Sequence, residues 1–169
     1  AMSDAAKMGV MVKGAKYFES FAKADTIVFD KTGTLTEAQP RLACVLTTDG
    51  WSEDEVLRLS ACLEEHFPHP VARAVVNAAR ERGLEHRERH AAVEYIVAHG
   101  IASSIEGRRA IIGSAHFVFE DEGAQLESDI KERIESQMQG LSPLYLAVDG
   151  TVVGVLGIED PLKPGVREA

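Results

Sequence analysis

The sequence predicts an α+β protein, an antiparallel sheet of hairpins flanked by helices, and three observations carry that prediction. Short runs rich in β-branched and aromatic residues recur at 42–46, 94–97, 101–105, 110–112, 144–148 and 151–155. Tight turns join several of them, and Asp149-Gly150 is the strongest hairpin signal. Two helices with recognisable starts and stops follow the first of these strands, and no regular strand–helix–strand alternation runs through the middle of the chain.

The elements follow in order. Thr26-Ile27-Val28-Phe29 is β-branched and aromatic, and it reads as a buried strand with Asp30 at its carboxyl end. Glu37 to Pro40 breaks the strand pattern and is predicted to be a hinge. Leu42–Leu46 then runs up to a Thr48-Asp49-Gly50 turn. Ser52 and Glu55 form a capping box that starts a helix at Glu53, with Val56, Leu57, Leu59, Ser60 and Leu63 on its inner face. In the next helix Pro70 suits the first turn, Gly83 the exit, and Arg80 and Arg82 the negative end of the dipole. Val71, Ala74, Val75, Ala78 and Ala79 supply its apolar face. A polar helix is expected over about Glu122–Gln139, before the final hairpin.

Composition narrows the function classes. A formal charge of −9 argues against nucleic acid or an anionic membrane surface as the main partner. Cys44 and Cys62, the two cysteines, fit reduced buried thiols better than a disulfide framework. No run approaches the ~20 apolar residues of a membrane span, and no signal peptide is visible.

The chemistry concentrates in Asp30-Lys31-Thr32-Gly33-Thr34-Leu35-Thr36. A carboxylate at a strand's carboxyl end, followed by a loop rich in N–H and hydroxyl donors, suits attack on a phosphoryl group to give an aspartyl-phosphate. The bland alternative is a surface turn that contains Asp and Gly. The heptapeptide resembles the phosphorylation motif of P-type ATPases. That resemblance implies that Asp30 takes the γ-phosphate of ATP, with Lys31 and Thr32 at the nucleotide and Asp30 and Thr32 at a Mg²⁺ ion. It also implies a Rossmann-like α/β phosphorylation domain of the haloacid-dehalogenase type, interrupted by a nucleotide-binding domain. Phosphatases of that superfamily carry a second Asp two positions on as general acid/base; here the position is Thr32. Loss of that proton shuttle prolongs the phosphoenzyme, which suits a pump better than a phosphatase.

A second resemblance covers Cys62-Leu63-Glu64-Glu65-His66-Phe67-Pro68-His69-Pro70, which is similar to the heavy- and transition-metal branch of the P-type ATPases. There a Glu precedes a His-Pro pair by five residues, which implies Glu64 and His69 at the adenine. The bland alternatives are a helix cap before Pro70 for His69 and a solvated helix end for Glu64. Phe67-Pro68 stands where Ser-Glu is common in the family, and Pro68 speaks against a metal site on His66 and His69. Ala98-His99-Gly100-Ile101 matches a Gly-x-Gly-aliphatic element with Ala98 for the first glycine. Gly100 is expected to let the backbone approach the nucleotide and adopt positive φ. Ile101 is expected on the adenine face or in the strand core. Gly113-Ser114 matches a family Gly-Asn pair, or Gly113 is simply a turn residue. His86, His90, His99, His116 and Arg87-Glu88-Arg89 read as solvated surface.

The resemblance divides the chain into 1–36 (linker and first part of the phosphorylation domain), 37–158 (nucleotide-binding domain) and 159–169 (start of the returning phosphorylation domain). It implies an ATP-binding piece at the cytoplasmic face of a metal-transporting pump, inactive alone. ATP and Mg²⁺ are the implied cofactors. The implied partners are the remaining phosphorylation domain, the actuator domain and the membrane helices of the same pump. Two other readings stand beside it: a haloacid-dehalogenase-like phosphatase with a cap domain, which predicts turnover of small phosphomonoesters at Asp30, and a non-catalytic module binding transition metal through His66 and His69. The transported metal is not legible, because its ligands lie in membrane helices.

Overall fold

A computed structural model of the chain describes residues 2–84, 94–96, 100–105 and 107–167. Two compact units divide it, Ala1–Lys31 and Thr32–Ala169. Ala98, His86, His90, His99 and Arg87-Glu88-Arg89 lie outside the described residues.

The first unit holds α1 (Met2–Lys7) and α2 (Ala15–Ala22). Residues 26–29 form no strand here, contrary to the sequence expectation, and Ile27, Val28 and Phe29 are 71%, 90% and 62% exposed. The physical reason is that no strand pairs with them among the described residues. An extended run without a neighbour satisfies neither its ladder hydrogen bonds nor its apolar faces.

The second unit is a six-stranded sheet in the order β1-β6-β5-β4-β3-β2, with every neighbouring pair antiparallel. Its strands are β1 (Arg41–Thr47), β2 (Glu94–Ile96), β3 (Gly100–Ile105), β4 (Arg108–Gly113), β5 (Ser142–Val148) and β6 (Thr151–Glu159). The β5–β6 hairpin closes on Asp149 (φ 49°) and Gly150 (φ 80°), the positive-φ pair that matches the twist of the strands. Arg108 Nε donates to Asp149 Oδ2 at 2.7 Å and the Arg109 N–H to Oδ1 at 3.0 Å, which ties the turn to β4.

Helices cover both faces of the sheet. On one face lie α3 (Glu53–Glu64) and α4 (Pro70–Glu81), burying Val56, Leu57, Leu63 and Val75 against Ile101, Ile112, Leu146 and Leu156. The capping box at α3 is complete: Ser52 Oγ accepts from the Glu55 N–H, and the Glu55 carboxylate accepts from the Ser52 N–H. Gly154 lets α3 approach β6, since a Cβ there would lie 2.5 Å from a Val56 methyl. On the other face, a π-helical turn at His116–Asp121 and α5 (Ser128–Gln137) bury Phe117, Val118 and Ile130 over Leu46, Ile111 and Val155. The polar helix therefore starts later than the sequence suggested. Gly123 adopts φ 66°, and Gln125 bridges Thr151 in parallel, so the backbone there bonds to the start of β6 rather than to itself.

The entry and exit of the sheet are strapped together. The Glu37 N–H donates to the Pro161 carbonyl and the Lys163 N–H to the Leu35 carbonyl, each at 2.9 Å. Buried Thr36 donates its hydroxyl to Asp160 Oδ2 and accepts from the Gly33 N–H, while Lys163 Nζ donates to the Gly33 carbonyl. The predicted hinge follows, with Ala38 at φ 53°.

Candidate functional site

The end of α3, the start of α4 and the strands β3, β4 and β5 enclose a cleft of about 250 Å³. Five residues expected at a nucleotide from sequence come together in its wall: Glu64, His69, Gly100, Ile101 and Gly113. They reach it from α3, the N-cap of α4, β3 and β4, so their convergence is a product of the fold and not of sequence proximity. The rest of the lining is largely apolar, with Phe67, Val71, Ile112 and Leu144 joined by the hydroxyl of Ser114.

Glu64 is the last residue of α3 and is only 5% exposed. Its Oε2 is buried with no hydrogen-bond partner among the described residues. Burial pushes the carboxyl up to about 7 from 4.5. A carboxyl raised in this way favours folding below its unfolded value and loses that contribution as pH rises through the folded value. The gap, at ~1.4 kcal/mol per unit, makes the buried carboxylate cost on the order of 3 kcal/mol at pH 8. Thermal unfolding followed against pH should therefore show stability falling between pH 4.5 and about 7. Glu64→Gln should remove that fall; an unchanged profile would show that the carboxyl is solvated.

His69 does two jobs. Its Nδ1 accepts the Val71 N–H at 3.3 Å and so caps α4, as the bland reading held. An acceptor at Nδ1 places the proton of the neutral ring on Nε2, which is then a donor. Its ring also stacks with Phe67, centroids 5.8 Å apart and planes at 25°. In the sequence Phe67 stands only as a departure from the family pattern. A pair of adjoining flat side chains beside an apolar cleft is a surface on which an aromatic base can stack.

Gly100 corrects one expectation. It is not among the positive-φ glycines, and it lies in β3. A Cβ there would meet the Phe117 ring at 2.2 Å and the Ile112 carbonyl oxygen at 2.6 Å, so the position is small for packing rather than for backbone conformation. Ile101, 2% exposed, is both a core residue and part of the cleft wall. Gly113 is buried at the end of β4, and the Ser114 hydroxyl accepts the Phe117 N–H at the turn that follows. Val71, Ile112 and Leu144 carried no separate signal, because an aliphatic cleft wall reads in sequence like core.

The motif residues are less ordered by the fold. Asp30 and Lys31, in the first unit, are exposed; Thr32, in the second, is exposed with extended backbone (φ −76°, ψ 119°) beside Gly33 at φ 78°. Mg²⁺ needs about six oxygen ligands in octahedral array. No group of three or more His, Cys, Asp or Glu suited to a metal occurs among the described residues, so Asp30 and Thr32 do not by themselves make such a site. No helix of the described residues is long and apolar enough to cross a membrane.

Residues 24–169 match the haloacid dehalogenase-like hydrolases. A copper-exporting P-type ATPase of Legionella pneumophila is 37% identical over 163 residues, covering 96% of the chain and 22% of that protein. A zinc-transporting PIB-type ATPase in its E2.Pi state superposes with a TM-score of 0.70 at 27% identity, over 98% of the chain and 26% of the other. The N-domain of HMA8, a copper-transporting P-type ATPase, superposes with a TM-score of 0.59 at 25% identity, over 69% of the chain and 97% of the domain. The chain thus spans about a fifth of the length of the curated relative it matches.

Proposed function

Because the chain belongs to the haloacid dehalogenase-like hydrolase family, we propose that it is the ATP-binding region of a metal cation-transporting P-type ATPase. The observation that carries this reading is the convergence of Glu64 and His69, five residues apart, on one apolar cleft in the sheet domain. Such a cleft fits a flat base, with His69 and Phe67 along its side and Glu64 at its exocyclic amine. Ile101 provides an apolar surface beneath the base, and the backbone of the paired strands β3 and β4 at Gly100 and Gly113 forms part of the cleft wall. The assignment of 37–158 to nucleotide binding, between 1–36 and 159–169, rests on the same convergence.

In the longer protein, Asp30 acts as the nucleophile. A carboxylate oxygen attacks the γ-phosphorus of ATP, the bond to the bridging oxygen of ADP breaks, and the aspartyl-phosphate so formed drives ion movement. Lys31 and Thr32 stand next to the transferred group. A Mg²⁺ ion would need oxygen donors beyond Asp30 and Thr32, drawn from phosphates, water and other parts of the protein. Partners for the unpaired 26–29 segment are assigned to the remainder of the phosphorylation domain, with the actuator domain and membrane helices beyond. The region would then lie at the cytoplasmic face of the pump. The relatives' metals differ, copper and zinc among them, so the transported ion is left open.

Calorimetric titration with ATP tests the site. His69→Ala should weaken ATP about tenfold, the loss of a stacking surface worth ~1–3 kcal/mol. Unchanged affinity, or amide shifts on ATP addition that avoid Glu64, His69 and Gly100, would remove the cleft from nucleotide binding.

A further inference from the structure

Glu64 is held in surroundings that give a negative charge nothing to rest on. It ends α3, where the helix dipole places partial negative charge. The walls beside it are the aliphatic side chains of Val71, Ile101, Ile112 and Leu144. Among the described lining residues from α4, β3, β4 and β5, no Lys or Arg faces it, and the other titratable group is His69, whose Nδ1 is already spent on the Val71 N–H. Its Oε2 has no donor among the described residues. A carboxyl so placed keeps its proton more readily than a solvated one.

We propose that Glu64 reads the base as a neutral carboxylic acid, its O–H donating to ring nitrogen N1 of adenine while its other oxygen accepts from the 6-amino group. This rests on the reading of the cleft as the ATP site. Adenine offers an acceptor and a donor side by side on that edge, and only the protonated carboxyl offers the complementary donor and acceptor. An ionised Glu64 could still accept from the amine, but its second oxygen would face the N1 lone pair. Affinity for ATP then falls as pH rises and the acid is lost. The buried carboxyl, raised to about 7, places that loss within the ordinary working range.

The test compares ATP affinity of the full chain and of Glu64→Gln between pH 6 and 8. A glutamine keeps a donor and an acceptor but cannot titrate, and both His69 and the phosphates are common to the two proteins. The expected result is comparable affinity at pH 6 and a wild-type affinity about tenfold weaker than that of Glu64→Gln at pH 8. A ratio that does not change with pH, or a tenfold loss in Glu64→Gln already at pH 6, overturns the neutral acid. Independently of any variant, 1-deaza-ATP, which lacks the N1 acceptor, should bind wild type about tenfold more weakly than ATP at pH 6; equal or tighter binding overturns the proposal. No ATP binding by wild type at any pH would instead overturn the nucleotide site itself.

Discussion

Gly100→Ala should destabilise the sheet domain by about 3 kcal/mol, lowering its melting temperature by about 10 °C. A Cβ at this position points at the face covered by the π-helical turn, 2.2 Å from Phe117 Cδ1 and 2.5 Å from Cε1. Phe117 is fully buried, so its ring has no free volume into which to retreat. The third neighbour is the Ile112 carbonyl oxygen at 2.6 Å, on the adjoining strand, which moves only if β3 and β4 separate. Separation would widen the cleft proposed to bind ATP, because Gly100, Ile101, Ile112 and Gly113 all line it. ATP affinity should therefore fall together with stability. Phe117→Leu in the same chain should restore part of the stability by clearing the two ring contacts, while leaving the carbonyl clash. A Gly100→Ala protein that melts within a degree or two of wild type would show that β3 and Phe117 are not in register as described.

That prediction also marks what a sequence can reveal. The strands, the capping box and the Asp149-Gly150 hairpin were legible because each is set by residues close together in the chain. Glu64 and His69 were singled out only through the resemblance to a family motif, and the fold brings both to one cleft. The reason for a glycine at 100 was not legible. It depends on Phe117, seventeen residues away on a turn whose His-Phe-Val-Phe run has no clear period. Phe67 carries no signal of its own in the sequence, since its stacking on His69 appears only once the chain turns between α3 and α4. Thr26–Phe29 shows the opposite failure: its local preference for strand is strong, yet a strand exists only where another pairs with it. The same dependence explains why α5 begins at Ser128, since the backbone of Gln125 just before it bonds to the start of β6.

Thr32→Asp, introduced into the longer protein, should shorten the life of the aspartyl-phosphate by about 10²–10⁴-fold. Asp30 is the proposed acceptor, and Thr32 lies two residues further along the chain, the position at which phosphatases of the superfamily carry their acid/base Asp. A carboxyl at 32 can take the proton from an attacking water as it approaches the phosphorus, and can hand a proton to the leaving group in the forward step. Threonine can position a water through its hydroxyl but cannot accept its proton at neutral pH. Thr32 is exposed, so the longer side chain meets no packing barrier. Labelling with γ-³²P-ATP followed by an unlabelled chase should show rapid loss of label in Thr32→Asp and slow loss in wild type. Asp30→Asn should show no label at all, since an amide does not attack the γ-phosphate. ATP should then be consumed by Thr32→Asp in futile turnover that outpaces ion movement. Label that decays at the wild-type rate would mean that hydrolysis is limited elsewhere, by access of water to the phosphoenzyme rather than by a missing proton shuttle.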